Sequence, residues 1–319
     1  MRRLWRWLKR LALVVVVLAL VLLIAAGGLL SWLIVRGFPQ REGSATLAGL
    51  GAPVRVVRDA NGIAHIYAST TEDLFAAQGY VHASERMWQM EVWRRTGSGR
   101  LAELFGDSQW PTDHFIRTLG WRQSAEADLA VLSDEGRRAL DAYARGVNAW
   151  LDTHPELPLP FVVAGFLGPG GGLAGFRPEP WTAVDTLTWQ KVQAWSLGSD
   201  LDRELFRVLA ARRGISEAAL AKLLPGYDMT RPVVVPTGHR PPTPATTTPP
   251  ATGAAAGATA LLDADTSLRA LLGVPGGLFG SAGLLGSNAW AVAPARSANG
   301  HALVANDPHL ELRLPNVWY

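Results

Sequence analysis

From Leu11 to Val35 no residue is charged, and Ser31 is the only clearly polar side chain. At about 1.5 Å per residue, a helix of that length reaches roughly 37 Å, more than the roughly 30 Å hydrocarbon core of a bilayer. Arg2, Arg3, Arg6, Lys9 and Arg10 precede the run, and Trp5, Trp7 and Trp32 sit near its ends. That matches the positive-inside and aromatic-belt pattern. The competing reading is a cleavable signal peptide, whose apolar stretch is shorter, about 7–15 residues. Here apolar residues continue past Ala25-Ala26-Gly27, so the length favours an anchor with residue 36 onward outside the cytoplasm.

Shorter periodic patterns follow. Val54 to Arg58 and Ile63 to Tyr67 flank Asp59-Ala60-Asn61-Gly62. Asn-Gly between β-rich runs predicts a tight hairpin, because both residues tolerate φ > 0. Ser69-Thr70-Thr71-Glu72 has the form of a capping box. Leu74, Ala77, Val81, Trp88 and Val92 then recur at helical spacing, predicting a helix from Thr70 to about Arg95 that ends near Gly97 and Gly99. Residues 124–151 predict another helix, with Leu129, Leu140, Tyr143, Val147 and Trp150 inward. A Gly/Pro-rich loop from Gly165 to Pro180 separates it from a helical region over 182–213. Near the end, Asn288, Trp290 and Val292 alternate with alanines as a packed strand allows, and Asn299-Gly300 is a second hairpin signal.

Composition then divides the chain. Residues 236–260 are almost entirely Pro, Thr, Ala and Gly, which cannot bury enough apolar surface to offset ordering entropy. The resulting division is a basic terminus with an anchor or signal helix (1–36), a folded region (45–230), a spacer (231–286) and a final segment (287–319). With 48% hydrophobic and 18% charged residues, the 319-residue chain as a whole is not disordered. It has no cysteine, so a disulfide framework, a Cys-ligated metal and a Cys nucleophile are excluded. The net charge is +3, and the first ten residues carry five positive charges, leaving −2 for the rest. A basic nucleic-acid footprint on the folded part is therefore not expected.

Most chemistry-bearing residues have ordinary explanations. His65 and His82 lie in apolar segments and are expected to pack in a core, as are Met87, Trp88, Met90 and Trp93. His82-Ala83-Ser84-Glu85-Arg86 is not a zinc-protease motif. Gly168 to Gly172 lack the Lys-Ser/Thr of a phosphate loop. Gly280-Ser281-Ala282-Gly283 has the wrong spacing for a nucleophile elbow.

Several blocks, in order, resemble the penicillin acylase family of amino-terminal-nucleophile hydrolases. Asp59 to Ala68 is similar to the family's opening hairpin, Glu72 to Ala83 with Glu85 to Met90 to its next helix, and Gly99-Arg100-Leu101-Ala102-Glu103-Leu104-Phe105-Gly106 to the block after that. Gly286-Ser287-Asn288-Ala289-Trp290-Ala291-Val292 resembles the start of the family's β chain, continued by Asn306-Asp307-Pro308-His309-Leu310 and by Pro315 to Tyr319. The resemblance implies an α+β class, part of a four-layer αββα fold with a helical α-chain region behind a transmembrane helix. It implies a precursor that cuts itself between Gly286 and Ser287, giving an α/β heterodimer, and a small-molecule N-acyl amide as substrate.

The chemistry suits Ser287. A hydroxyl is a poor nucleophile until a base takes its proton. An α-amine, with an ordinary pKa of about 7.7–8.0, can act as that base near neutral pH. Before cleavage the same nitrogen is an amide and cannot. His309 is the second catalytic candidate. A two-residue Asn299-Gly300 turn would set it opposite Trp290, roughly 10 Å along a strand from Ser287, unless Pro308 bends the chain back. The resemblance also implies a calcium ion between the two chains, with Glu204 as the one α-chain ligand; the alternative is a solvent-facing helix carboxylate. Family β chains run well beyond this motif and supply the oxyanion-hole donors. The sequence is therefore expected to be either a fragment or a truncated form. The rival function is a membrane-anchored binding or scaffold domain without catalysis.

Overall fold

The computed structural model describes residues 2–155, 158–168, 176–197, 201–224, 287–310 and 316–317. The spacer over 231–286 lies outside them. The chain divides into two compact units, residues 1–191 and 192–318.

The first unit begins with α1 (Arg2–Val35), exposed along almost its whole length. Among the described residues it is the one helix long and apolar enough to cross a membrane. The guanidinium of Arg36 stacks over Trp32 at 4.4 Å. Strands β1 (Arg55–Arg58) and β2 (Ala64–Tyr67) pair antiparallel, with Arg58 opposite Ala64. The hairpin is where expected, but its loop is longer than two residues. Gly62 takes φ +87°, while among the described residues no non-glycine has positive φ, so Asn61 does not make the expected turn. Asp59 organises the loop instead, Oδ1 accepting from the amides of Asn61 (2.8 Å) and Ile63 (3.0 Å).

Helix α2 (Thr71–Ser98) is capped by Thr70, whose Oγ1 accepts from the Asp73 amide at 3.1 Å. The cap thus lies one residue beyond the Ser69–Glu72 box. The Asp73 carboxylate at N3 is used elsewhere, accepting from the Gly51 amide at 2.8 Å. Gly99, left-handed at φ +62°, ends the helix. Short helices α3 (Ala102–Phe105), α4 (Trp110–Leu119) and α5 (Trp121–Val131) follow. Next come α6 (Asp134–Thr153), α7 (Leu159–Leu167) and α8 (Ala183–Leu197), the last crossing the boundary between units. The single helix expected over 124–151 is two, because Ser133 turns extended and caps α6, accepting from the Gly136 amide at 3.2 Å.

The core forms where α2 meets α6. Their backbones touch at glycines: a Cβ on Gly79 would lie 2.1 Å from Tyr143 O, and one on Gly146 1.8 Å from Ala76 O. Ala83, Met87, Val147, Trp150, Leu151, Phe161 and Trp181 fill the remainder, with Trp88 and Met90 packed against them. Each such large apolar side chain contributes about 1.5–3 kcal/mol by leaving water. Leu74, expected inward, is exposed, and so is His65, which pairs with Asp59 at 3.6 Å. Of the residues expected inward, Ala77, Val81, Val147 and Trp150 are buried, and Trp88 and Tyr143 pack against the core.

Past the seam, α2 buries charge. Glu91 is fully buried and bonds both Arg94 and Arg95, the Arg95 Nε contact being 2.6 Å. Arg94 donates onward to the carbonyls of Glu179 (3.0 Å) and Pro180 (3.3 Å) and lies over the Trp181 ring. Arg95 lies over Phe176. The buried carboxylate thereby fixes two guanidinium groups that strap residues 176–181 onto α2.

The second unit contains α9 (Leu201–Arg212), α10 (Glu217–Leu223) and the antiparallel strands β3 (Ser287–Val292) and β4 (Leu303–Pro308). The region read as helical over 182–213 is thus α8 and α9. Among the described residues there are two sheets of two strands each. The fold is helical with two hairpins, and the four-layer αββα sandwich is not assembled from these residues: each hairpin lacks the further strands that a layer needs.

Candidate active site

Ser287 is the first residue of β3 and is exposed. Its partner across the ladder is Pro308, which has no N–H to donate to it. The register runs from Ser287↔Pro308 through Trp290↔Ala305 to Val292↔Leu303. This corrects the pairing expected from a two-residue turn. The connection spans 293–302 and holds a 3₁₀ turn at Pro294–Arg296. The Ser297 carbonyl then accepts from the Gly300 amide at 3.2 Å, and Asn299 Oδ1 accepts from the His301 amide at 3.0 Å. Only Gly300 has positive φ.

The shift brings His309 from three residues away to the position just past Ser287's partner. It does not put the ring on the nucleophile. Successive side chains alternate across a strand, so Ser287, Ala289 and Ala291 share one face with Pro308, Asn306 and Val304. Asn288, Trp290 and Asp307 lie on the other, and His309 joins that side. Its Nε2 lies 2.7 Å from Asp307 Oδ2 and 3.5 Å from Asn288 Nδ2. Among the described residues Ser287 and His309 share no hydrogen bond. Asn288 is the site-proximal residue that sequence reasoning passed over; the alternation of β3 could have paired it with Asp307, given the correct register.

The face around Ser287 is open and carries small side chains. Ser287 and Trp290 are exposed, as are Leu303 and Val304. Among the described residues β3 and β4 pair only with each other, and a two-stranded ribbon by itself is marginal in water.

Glu204 falls on α9, and its side chain lies outside the described residues. Among those residues no group of three His, Asp or Glu is placed to hold a metal, and one carboxylate does not supply the 6–8 oxygens that calcium takes. In the first unit a cavity of about 260 Å³ lies between the β1–β2 hairpin, α2 and Trp150. Ser84 and His154 line it, but Ser84 Oγ donates to Val81 O at 2.8 Å and His154 Nδ1 lies 2.9 Å from Trp150 O. Neither activates the other as a Ser/His pair would. His82 bonds the Tyr143 hydroxyl at 2.9 Å, and burial pushes its pKa down and that of the phenol up.

The penicillin amidase family profile matches residues 53–319, covering β1 through β4 and the start of the strand at Ser287. The chain belongs to the penicillin amidase family. It is 34% identical over 280 residues to penicillin acylase 2 proenzyme of Pseudomonas sp., covering 88% of this chain and 33% of that protein. It is 33% identical over 305 residues to acyl-homoserine lactone acylase QuiP of Pseudomonas aeruginosa, covering 93% and 32%. A solved structure of thermostable penicillin G acylase from Alcaligenes faecalis matches with a TM-score of 0.46 at 28% identity, covering 58% of this chain and 97% of that one. This penicillin amidase family chain thus spans about a third of the length of the curated relatives it matches.

Proposed function

We propose that the chain supplies the nucleophile of an extracytoplasmic amidohydrolase acting on linear amides of N-acyl compounds, in an enzyme whose remaining strands complete the site. The observation that carries this is the place of Ser287: the first, exposed residue of a strand that directly follows the Gly-rich end of the spacer, within the family match. The name proenzyme borne by one relative supports a precursor. In this reading the Gly286–Ser287 bond is cut when the Ser287 hydroxyl attacks the Gly286 carbonyl, giving an ester by N→O shift that water opens. The freed α-amine, directly or through one water, then takes the Ser287 Oγ proton as Oγ bonds the substrate carbonyl carbon. The tetrahedral intermediate expels the amine, which leaves with that proton. Water then attacks the resulting ester as the amine base takes its proton, and the amine passes that proton to Ser287 Oγ as the acid departs, restoring the free hydroxyl and the free amine. His309, held by Asp307 and Asn288, shapes the turn beneath the nucleophile instead of acting as its base. Helix α1 tethers the enzyme to the membrane, with residue 37 onward outside the cytoplasm. Penicillins and acyl-homoserine lactones, named for the relatives, are the amides to try first. Any calcium ion would take Glu204 as one ligand, and no step passes through it.

The test is Ser287→Ala in the complete precursor. The mature β chain should begin Ser-Asn-Ala-Trp in the parent protein, and the variant should stay uncut and inactive. A β chain beginning elsewhere, or an active Ser287→Ala enzyme, ends this reading.

A further inference from the structure

The exit of α1 touches a second apolar element. The turn after the helix is tight: Gly37 N bonds Ile34 O and Phe38 N bonds Val35 O, both at 3.1 Å. Gly37 there abuts Pro158, whose Cβ would lie 3.2 Å from a Cβ at residue 37. Pro158 is the residue before α7, a helix with the sequence LPFVVAGFL. No charged residue occurs between Glu156 and Arg177. One side of α7 is accounted for, since Phe161 is 1% exposed and meets the Trp88 ring at 5.0 Å. Among the described residues the other side is open. Pro160 is exposed, Val163 is 45% exposed, and Phe38 beside the helix start is 68% exposed. Arg36, stacked over Trp32, and Arg41 follow α1 in the chain.

From this juxtaposition we infer that α7 and Phe38 form a membrane-contact patch, lying against the outer leaflet where α1 emerges. The inference rests on α1 spanning the bilayer as proposed above. Given that, the Gly37–Pro158 contact sets the start of α7 at the depth where the chain leaves the hydrocarbon. A short, uncharged helix with exposed Val and Pro at that depth is covered by lipid interface without desolvating any charge. Arg36 and Arg41 sit at the level of headgroup phosphates, and Trp32 is at the boundary that aromatic residues favour. The consequence is orientational: one crossing helix alone leaves a domain free to swivel, and a second contact fixes which face looks at the membrane.

The chain has no cysteine, so single-cysteine variants carry one label each. Nitroxides at Leu22→Cys, Phe38→Cys, Val163→Cys and Val131→Cys of the full chain, in phosphatidylethanolamine–phosphatidylglycerol vesicles, are compared by collision with oxygen and with a water-soluble nickel chelate. Val131 is 84% exposed and serves as the aqueous reference. The expected order has residue 22 deep, residues 38 and 163 shifted clearly toward oxygen relative to 131, and 131 nickel-accessible. Residue 163 matching 131 while 22 is deep overturns the patch and leaves the anchor standing. Residue 163 shielded from both quenchers means protein covers α7, which also overturns it. Residue 22 in water removes the anchor reading itself.

Discussion

Replacing Gly146 by Ala tests the α2–α6 seam most directly. In the middle of a helix Ala is normally favoured over Gly by about 1 kcal/mol, so without a steric conflict the variant is more stable than the parent. The structure reverses that sign. A Cβ at 146 would stand 1.8 Å from Ala76 O, where separations under 3.0 Å do not occur, a shortfall of 3.0 − 1.8 = 1.2 Å. The obstructing atom is a backbone carbonyl of α2, so no rotamer change relieves it and the helices must part. Opening the seam by a distance of this order forfeits a quarter or more of the dispersion energy of every contact across it. Ala83, Met87, Val147 and Trp150 all pack there. Overpacking costs typically 1–3 kcal/mol, and a backbone–backbone clash belongs at the upper end, about 3 kcal/mol. For a unit of this size that is a fall in Tm of roughly 6–12 °C. Gly136→Ala is the internal control on the same helix. Its Cβ would meet the end of the Leu132 side chain at 2.9 Å, which can rotate away, and it should be neutral or stabilising by up to about 1 kcal/mol. Thermal and urea unfolding of the detergent-solubilised chain, followed by circular dichroism, reads both. Gly146→Ala at or above parental stability would refute the close seam and the reasoning built on it.

Three further outcomes follow from the same geometry. Glu91→Gln removes the buried carboxylate shared by Arg94 and Arg95, leaving Arg94 with Asp185 at 3.7 Å and Arg95 with the half-exposed Glu103; it should cost about 3 kcal/mol in urea unfolding, the lower end of breaking a buried pair, and a loss under about 1 kcal/mol would show that those two carboxylates neutralise the cluster by themselves. Hydrogen bonds from Arg100 hold the Glu179 carboxyl at about 2, below its ordinary 4.5. A depressed carboxyl stabilises the fold above its unfolded value, so the parent's advantage over Glu179→Gln should be full above about pH 4.5 and vanish toward pH 2. Because the pair is half exposed, that advantage should stay under about 1 kcal/mol, and a pH-independent difference in Tm would contradict the assignment. His309→Ala in the complete precursor should still release a β chain starting at Ser287, with kcat reduced less than tenfold, against 10²–10⁴ for the loss of an acid–base group; an uncut precursor would return His309 to the catalytic machinery.

The sequence alone determined what depends on composition and on near neighbours. An uncharged run behind five basic residues is a long exposed helix whatever follows it, and Met87, Trp88 and Met90 pack because their size leaves few alternatives. Ser287 at the head of a strand was legible from alternation with small residues. Tertiary structure decided the rest. At both hairpins Asn-Gly looked like a two-residue turn, yet only the glycine adopts positive φ, while Asp59 and Asn299 recruit backbone amides into longer loops. Such side-chain bonds compete with the turn and are invisible in a dipeptide count. The four-residue change in pairing that follows at β3–β4 moved His309 beside Ser287's partner while keeping it on the opposite face. Likewise Gly79, Gly146 and Glu91 read as ordinary helix residues, because what makes the glycines matter is a backbone far away in sequence, and what makes Glu91 matter is that its neighbours Arg94 and Arg95 are buried with it against residues 176–181. Only the approach of α2 to α6, and of residues 176–181 to α2, gives those positions their physical meaning.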